Sequence, residues 1–161
     1  LPAPLKLKGR RQLTIVGRSP LVDGEWQGEP SRIRFELELP HAACVSLEDC
    51  SGVTFENIEW VNQDGDTRLL MDAQRCQGLA LSHCRIINGG PALQVSEGQG
   101  LWISTCYFSV SEEPIRMESV DGLTLQECHF QHPGTRVETK GLTGQLVQRH
   151  NRTPEGYLVL K

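Results

Sequence analysis

Five pairs of polar side chains recur at fixed places in this chain. Six and four residues before successive glycines stand Ser46/Glu48, Asp72/Gln74, Gln94/Ser96, Arg116/Glu118 and Glu138/Lys140. Removing the proton α to a uronate carboxylate needs a base, and a cation or metal to neutralise the acid. Arg116 could act as that base or as the counter-charge. Glu48 and Asp72, one repeat apart, could offer oxygen ligands to Ca²⁺. The competing account is structural: Arg116 pairs with Glu138, and Glu118 with Lys140, across neighbouring strands. That account is preferred, so no catalytic residue, metal or cofactor is expected, and Ca²⁺ enters only under a lyase reading. Trp102, Tyr107 and His129 fall on outward slots, where an aromatic ring can stack on a sugar or cover a partner domain. The binding candidates are therefore Glu48, Asp72, Gln74, Gln94, Arg116 and Glu118, with Trp102 and Tyr107. The five histidines, His41, His83, His129, His132 and His150, occupy different faces or turns and are not expected to converge.

Composition narrows the partners. The 161 residues have room for one domain, and 38% of them are hydrophobic. Sixteen Lys and Arg against twenty Asp and Glu give a net charge of −4, which argues against a general nucleic-acid binder. No apolar run has the roughly 20 residues of a membrane span. No basic segment followed by an apolar stretch opens the chain, and Leu1 is read as the start of a trimmed piece. Charge is uneven. Residues 1–22 carry Lys6, Lys8, Arg10, Arg11 and Arg18 with no acid, whereas residues 36–72 carry nine acids against Arg68. Blocks of this kind are ordinarily solvated surfaces.

The elements that must position these groups emerge from the glycines. Gly52, Gly78, Gly100, Gly122 and Gly144 follow one another at 26, 22, 22 and 22 residues. After four of them comes the same short text: Val53-Thr54-Phe55, Leu79-Ala80-Leu81, Leu101-Trp102-Ile103 and Leu123-Thr124-Leu125. Three residues further sits Ile58, Cys84, Cys106 or Cys128, and two beyond that Trp60, Ile86, Phe108 or Phe130. Before the glycine come Val45/Leu47, Met71/Ala73, Leu93/Val95 and Ile115/Met117. The spacing inside a unit is two, which puts alternate side chains on opposite faces of a strand. No helical period persists. Each unit reads as three short strands that return to their starting point, so successive units stack in parallel with like residues above like. The expected fold is an all-β, single-stranded parallel β-helix of about six coils and about 22 residues per coil. The glycine marks the corner before the second strand. A sandwich would show hairpin dipeptides between strands. Asn88-Gly89-Gly90 is read as the one candidate, and it falls between units.

The texts Gly78-Leu79-Ala80-Leu81-Ser82-His83-Cys84-Arg85-Ile86 and Gly122-Leu123-Thr124-Leu125-Gln126-Glu127-Cys128-His129-Phe130 resemble right-handed parallel β-helix repeats. Such repeats occur in pectin-lyase-like proteins and in the carbohydrate-binding and sugar-hydrolase repeat group. Leu13-Thr14-Ile15-Val16-Gly17, followed by Pro20-Leu21-Val22-Asp23-Gly24, resembles the first coil of such proteins. The resemblance covers about residues 10–150. It implies a right-handed helix and places any cleft on the outward face of the first strand. It does not imply an activity, because the fold hosts enzymes, fibres and recognition domains alike. Asn62-Gln63-Asp64-Gly65-Asp66 is similar to a polygalacturonase text, but the companion motifs are missing, and Asp64-Gly65-Asp66 is read as turn chemistry.

The expected organisation is a single domain. Residues 1–24 form a first coil, 25–43 an insertion or capping strand, 44–134 the regular coils and 135–161 irregular terminal coils. Within the insertion Ile33, Phe35, Leu37 and Leu39 alternate with charged residues, a strand that could fold over the open end of the column. At the far end Gln145, His150 and Arg152 fall on slots that were apolar earlier, before a last strand near Tyr157-Leu158-Val159-Leu160. Cys84, Cys106 and Cys128 share one slot, and Cys50 and Cys76 another, which reads as ladders of buried thiols. Stacked neighbours suit disulfide torsions poorly, and free thiols favour an intracellular, reducing setting or a bacterial protein indifferent to oxidation. The expected function is a non-catalytic module of a larger protein, a recognition surface or rigid scaffold facing a glycan or protein. The alternatives are a lyase or hydrolase acting on an acidic polysaccharide, and a fibre or adhesin segment.

Overall fold

The computed structural model describes residues 4–35, 43–62, 68–110, 113–156 and 158–160. These residues are strand, turn and bend, with no helix among them. Three parallel sheets run along the long axis of a β-solenoid. Sheet 1 has seven strands, among them Val45–Glu48, Met71–Gln74, Leu93–Ser96, Ile115–Glu118 and Arg136–Lys140. Sheet 2 has six, from Thr14–Val16 at one edge to Thr143–Arg149 at the other. Sheet 3 has five, from Ser31–Phe35 to His129–Phe130. Val45 pairs with Met71, Met71 with Leu93, and Leu93 with Ile115, so the repeat length read from the glycines is the register of the sheets.

The regular part is four turns rather than the six expected. Each contributes one strand to every sheet, and all four lie between Val45 and Phe130. Outside them the sheets gain strands, but the repeat is interrupted by an insertion on one side and a bulge on the other. The expected first coil ends early. Leu21–Val22 and Glu25–Trp26 form an antiparallel hairpin about Asp23-Gly24, the only antiparallel pair among the described strands. Ser31–Phe35 continues sheet 3 in parallel register with Ile58–Asn62. Leu37, Leu39, His41, Tyr157 and the Asp64-Gly65-Asp66 turn lie outside the described residues.

The core is the stack of inward slots. Phe55, Leu81, Ile103 and Leu125 lie in register and are all buried. Trp60, Ile86, Phe108 and Phe130 form the equivalent column of sheet 3, with the Phe108 and Phe130 rings stacked at 4.8 Å. That distance is the strand spacing itself, so the rings stack because the backbones do. Burying one such Leu or Phe contributes about 1.5–3 kcal/mol. All six cysteines are free and buried.

Corners complete the turns. The glycine column has φ of +62° at Gly52, +64° at Gly78 and +67° at Gly100. A Cβ at Gly100 would meet nothing nearer than 3.8 Å, so conformation and not crowding requires the glycine. The same left-handed shape recurs at Asp49, Arg75, Glu97 and Ser119, and again at Asn57, His83, Thr105, Glu127 and His150. Each turn thus has two left-handed residues besides the glycine, one in the glycine's own corner and one in the corner between sheets 2 and 3. The bend from sheet 3 towards sheet 1 is held by buried amides. Asn62 Nδ2 donates to Asn88 Oδ1 at 2.8 Å, and Asn88 Nδ2 donates to the carbonyls of Arg68 and Pro91.

Candidate functional site

The polar ribbon forms on the outer face of sheet 1. Ser46, Asp72, Gln94, Arg116 and Glu138 fall in one column, and Glu48, Gln74, Ser96, Glu118 and Lys140 in the next. Trp102 stands apart on sheet 2, between Ala80 and Thr124, and is 48% exposed. Tyr107 belongs to sheet 3. The eight candidate residues therefore divide over three faces and make no common site.

Most charges of the ribbon are ion-paired, Glu118 with Lys140 and the others with neighbours outside it. Lys8 holds Glu48 Oε2 at 2.9 Å and Arg75 holds Glu48 Oε1 at 2.7 Å. The hydrogen bond from Lys8 keeps the Glu48 carboxyl below its ordinary range. Both oxygens already face a cation, which opposes a metal ion at the same atoms. Arg75 also pairs with Asp49 at 2.7 Å, and Lys140 with Glu118 at 2.9 Å. Arg116 pairs with Glu113 at 2.8 Å and not with Glu138 as expected. Glu113 lies in the turn that leads into the Arg116 strand, so the nearest carboxylate is local. Asp72 Oδ2 accepts from Gln74 at 3.0 Å, while Asp72 Oδ1 is buried without a partner. The concavity beside Arg116 and Glu138 is small, about 160 Å³.

A larger cleft lies on the outside of sheet 3. It has a volume of about 460 Å³. Three successive rows line it, each with one corner residue and one outward residue: Thr105 and Tyr107, Glu127 and His129, His150 and Arg152. Asp23, at the tip of the hairpin, forms the opposite wall. Tyr107 is in register with His129, their rings 4.7 Å apart, and His129 bridges to Arg152. Burial raises the Tyr107 hydroxyl, and Asp23 adds to the shift. Burial, with a smaller contribution from the Arg152 charge, lowers the His129 imidazole below its ordinary value. His129 and His150 thus converge, contrary to expectation.

The hairpin is fixed in place by the same column of sheet 3. Arg32, Glu59, Arg85 and Tyr107 succeed one another on its outer face. Glu59 is buried, ion-paired to Arg32, with Arg85 at 4.0 Å. Trp26 Nε1 reaches over and donates to Glu59 Oε2 at 3.3 Å, and Leu21 is fully buried beneath. Gly24 packs on the Tyr107 ring so closely that a Cβ there would lie 2.5 Å from it.

Two signals carried this cleft and both were misread from the sequence. Asp23-Gly24 is itself a hairpin dipeptide, with φ of +49° and +84°, inside a text that resembles a first coil. The register of the last turn slips between Asp121 and Leu123, so Leu146 and not Gln145 lies opposite Leu123. One inserted residue moves every later side chain to the other face. Arg152 therefore points outward beside His129, and His150 takes the corner beside Glu127.

Among the described residues no group of three His, Cys, Asp or Glu is arranged to hold a metal ion. No helix among them is long and apolar enough to cross a membrane. Compared with protein-family models, curated proteins and solved structures, the chain finds no match.

Proposed function

We propose that this chain is a non-catalytic module of a larger protein, a rigid parallel β-helix that presents a recognition surface, with glycans as the favoured ligand class. Its crossovers are read as right-handed, the hand that parallel connections almost always take. The pectin-lyase-like resemblance of the repeat texts supports the same hand. The observation that carries the reading is the self-neutralisation of sheet 1, the face on which that resemblance would place a catalytic cleft. Glu48, Arg116 and Glu118 are each bound to a neighbour of opposite sign. A guanidinium already paired to Glu113 is a poor base and a screened counter-charge, and a shallow concavity neither excludes water nor orients a sugar chain.

The second reading, a lyase or hydrolase of acidic polysaccharide, draws its support from Asp72, whose unpartnered Oδ1 is a buried polar atom seeking a donor. An assay on polygalacturonate and alginate at high protein concentration, with and without Ca²⁺, separates the two. No unsaturated product in the ultraviolet is expected. Steady turnover that disappears in both Arg116→Ala and Asp72→Ala would establish the enzyme.

A further inference from the structure

We infer that the cleft under the Asp23-Gly24 hairpin is the binding site of the module, and that it takes a short neutral oligosaccharide rather than an acidic one. The inference rests on the recognition reading above and assigns its ligand and its place.

The cleft is a built feature. The solenoid repeat alone would leave the outer face of sheet 3 flat. The hairpin converts that face into a walled concavity, and a buried carboxylate, Glu59, is committed to holding the wall through Trp26. Its volume of about 460 Å³ lies within the 300–1,000 Å³ of small-molecule sites. Three rows at about 4.8 Å repeat the same pair of positions, close to the step of one pyranose unit along a chain.

The polar groups set the ligand chemistry. Asp23 and Glu127 accept hydrogen bonds only, Arg152 donates only, the Thr105 and Tyr107 hydroxyls do both, and His150 adds a second imidazole. His129, neutral at physiological pH, offers one donor and one acceptor. A ligand that satisfies such a mixed set must itself donate and accept at several neighbouring atoms, as the hydroxyls of a sugar do. Two carboxylates and one guanidinium line the cleft, and Arg85 in the row before Tyr107 brings the charges to balance, so the cleft has no surplus cation to offer a polyuronate. The Tyr107 ring has the His129 ring tilted against it at 32° and Gly24 packed against it, so hydrogen bonds rather than ring stacking carry recognition.

The test is chemical-shift mapping on the isotopically labelled chain with maltotriose, cellotriose, mannotriose and trigalacturonate. At least one neutral trisaccharide is expected to shift Thr105, Tyr107, His129 and Arg152, and trigalacturonate to shift none of them. Asp23→Asn, Tyr107→Phe and Arg152→Gln should each weaken binding about tenfold, the loss of one hydrogen bond involving a charged or buried partner. Retained Trp26 fluorescence would show that the hairpin stays docked in each variant, and Thr54→Ala on sheet 2 should leave binding unchanged. Shifts confined to sheet 1 or to Trp102 would overturn the cleft assignment and leave the recognition reading standing. Binding of trigalacturonate in the cleft would overturn the neutral-ligand inference. Silence from all four probes up to their solubility limits would overturn the cleft as a saccharide site. Turnover of a bound probe would overturn the non-catalytic reading and leave the place of the site intact.

Discussion

Replacing Gly24 with Ala should release the hairpin without unfolding the solenoid. Two costs add. Gly24 has φ of +84°, and an L-residue in the left-handed region costs about 1–2 kcal/mol. The new Cβ would also lie 2.5 Å from the Tyr107 ring, and forced overpacking costs about 1–3 kcal/mol. Together they come to roughly 3 kcal/mol. Opposing them are the burial of Leu21, worth about 1.5–3 kcal/mol, and the Trp26 hydrogen bond to the Glu59 carboxylate, worth a similar amount. The substitution therefore removes about half or more of what docks the hairpin. Amide exchange at Gln27, which donates to the Pro20 carbonyl at 3.0 Å, should accelerate about a hundredfold. The amides of sheet 2 strands should keep their protection. Gly9→Ala is the control, since Gly9 has φ of +62° with nothing within 4 Å, and should show the conformational cost alone. Gly24→Ala combined with Tyr107→Ser should recover part of the loss. Unchanged exchange at Gln27, or equal effects at Gly9 and Gly24, would refute the packing of the hairpin on Tyr107.

Three further outcomes follow from the same geometry. Asn88→Ala should lower stability by about 1–3 kcal/mol in denaturant melts, because it removes the acceptor of the buried Asn62 Nδ2 and the side-chain donor to the Arg68 and Pro91 carbonyls, while Pro91 keeps the Leu70 amide. Thr105→Asn should raise stability by about 1 kcal/mol, since a β-branched residue at φ of +52° is strained where Asn is tolerated. The His129 imidazole, followed by NMR, should titrate below its ordinary value, and Arg152→Gln should raise the midpoint only in part, because burial is the larger cause. As the folded value is lowered, the stability linked to His129 is complete above the ordinary value and is lost as pH falls through the folded one.

The fold was legible because its period is written in residues that cannot be exchanged freely. Gly52, Gly78, Gly100 and Gly122 hold left-handed corners, and the apolar slots between them hold the core. The ribbon was legible for the same reason, since outward positions follow once the inward ones are known. Its contacts were not. Counting across strands led from Arg116 to Glu138, whereas the chain offers Glu113 from the preceding turn. The left-handed corners at Arg75, Glu97 and Thr105 left no mark, because their backbone shape is imposed by the stack and not by the residue. The cleft was hidden by two local departures from the period, a hairpin within the first turn and one extra residue in the last. Departures of this kind are where a solenoid acquires features its repeat cannot make.

The geometry of the cleft is tested most directly by interproton contacts in the labelled protein. The Gly24 α-protons should show strong contacts to the Tyr107 ring, and the His129 and Arg152 backbones should show the close contacts of neighbouring parallel strands. Backbone pairing of His129 with Asn151 in place of Arg152, or a Gly24 signal without ring contacts, would contradict the account, since either would remove one wall of the site.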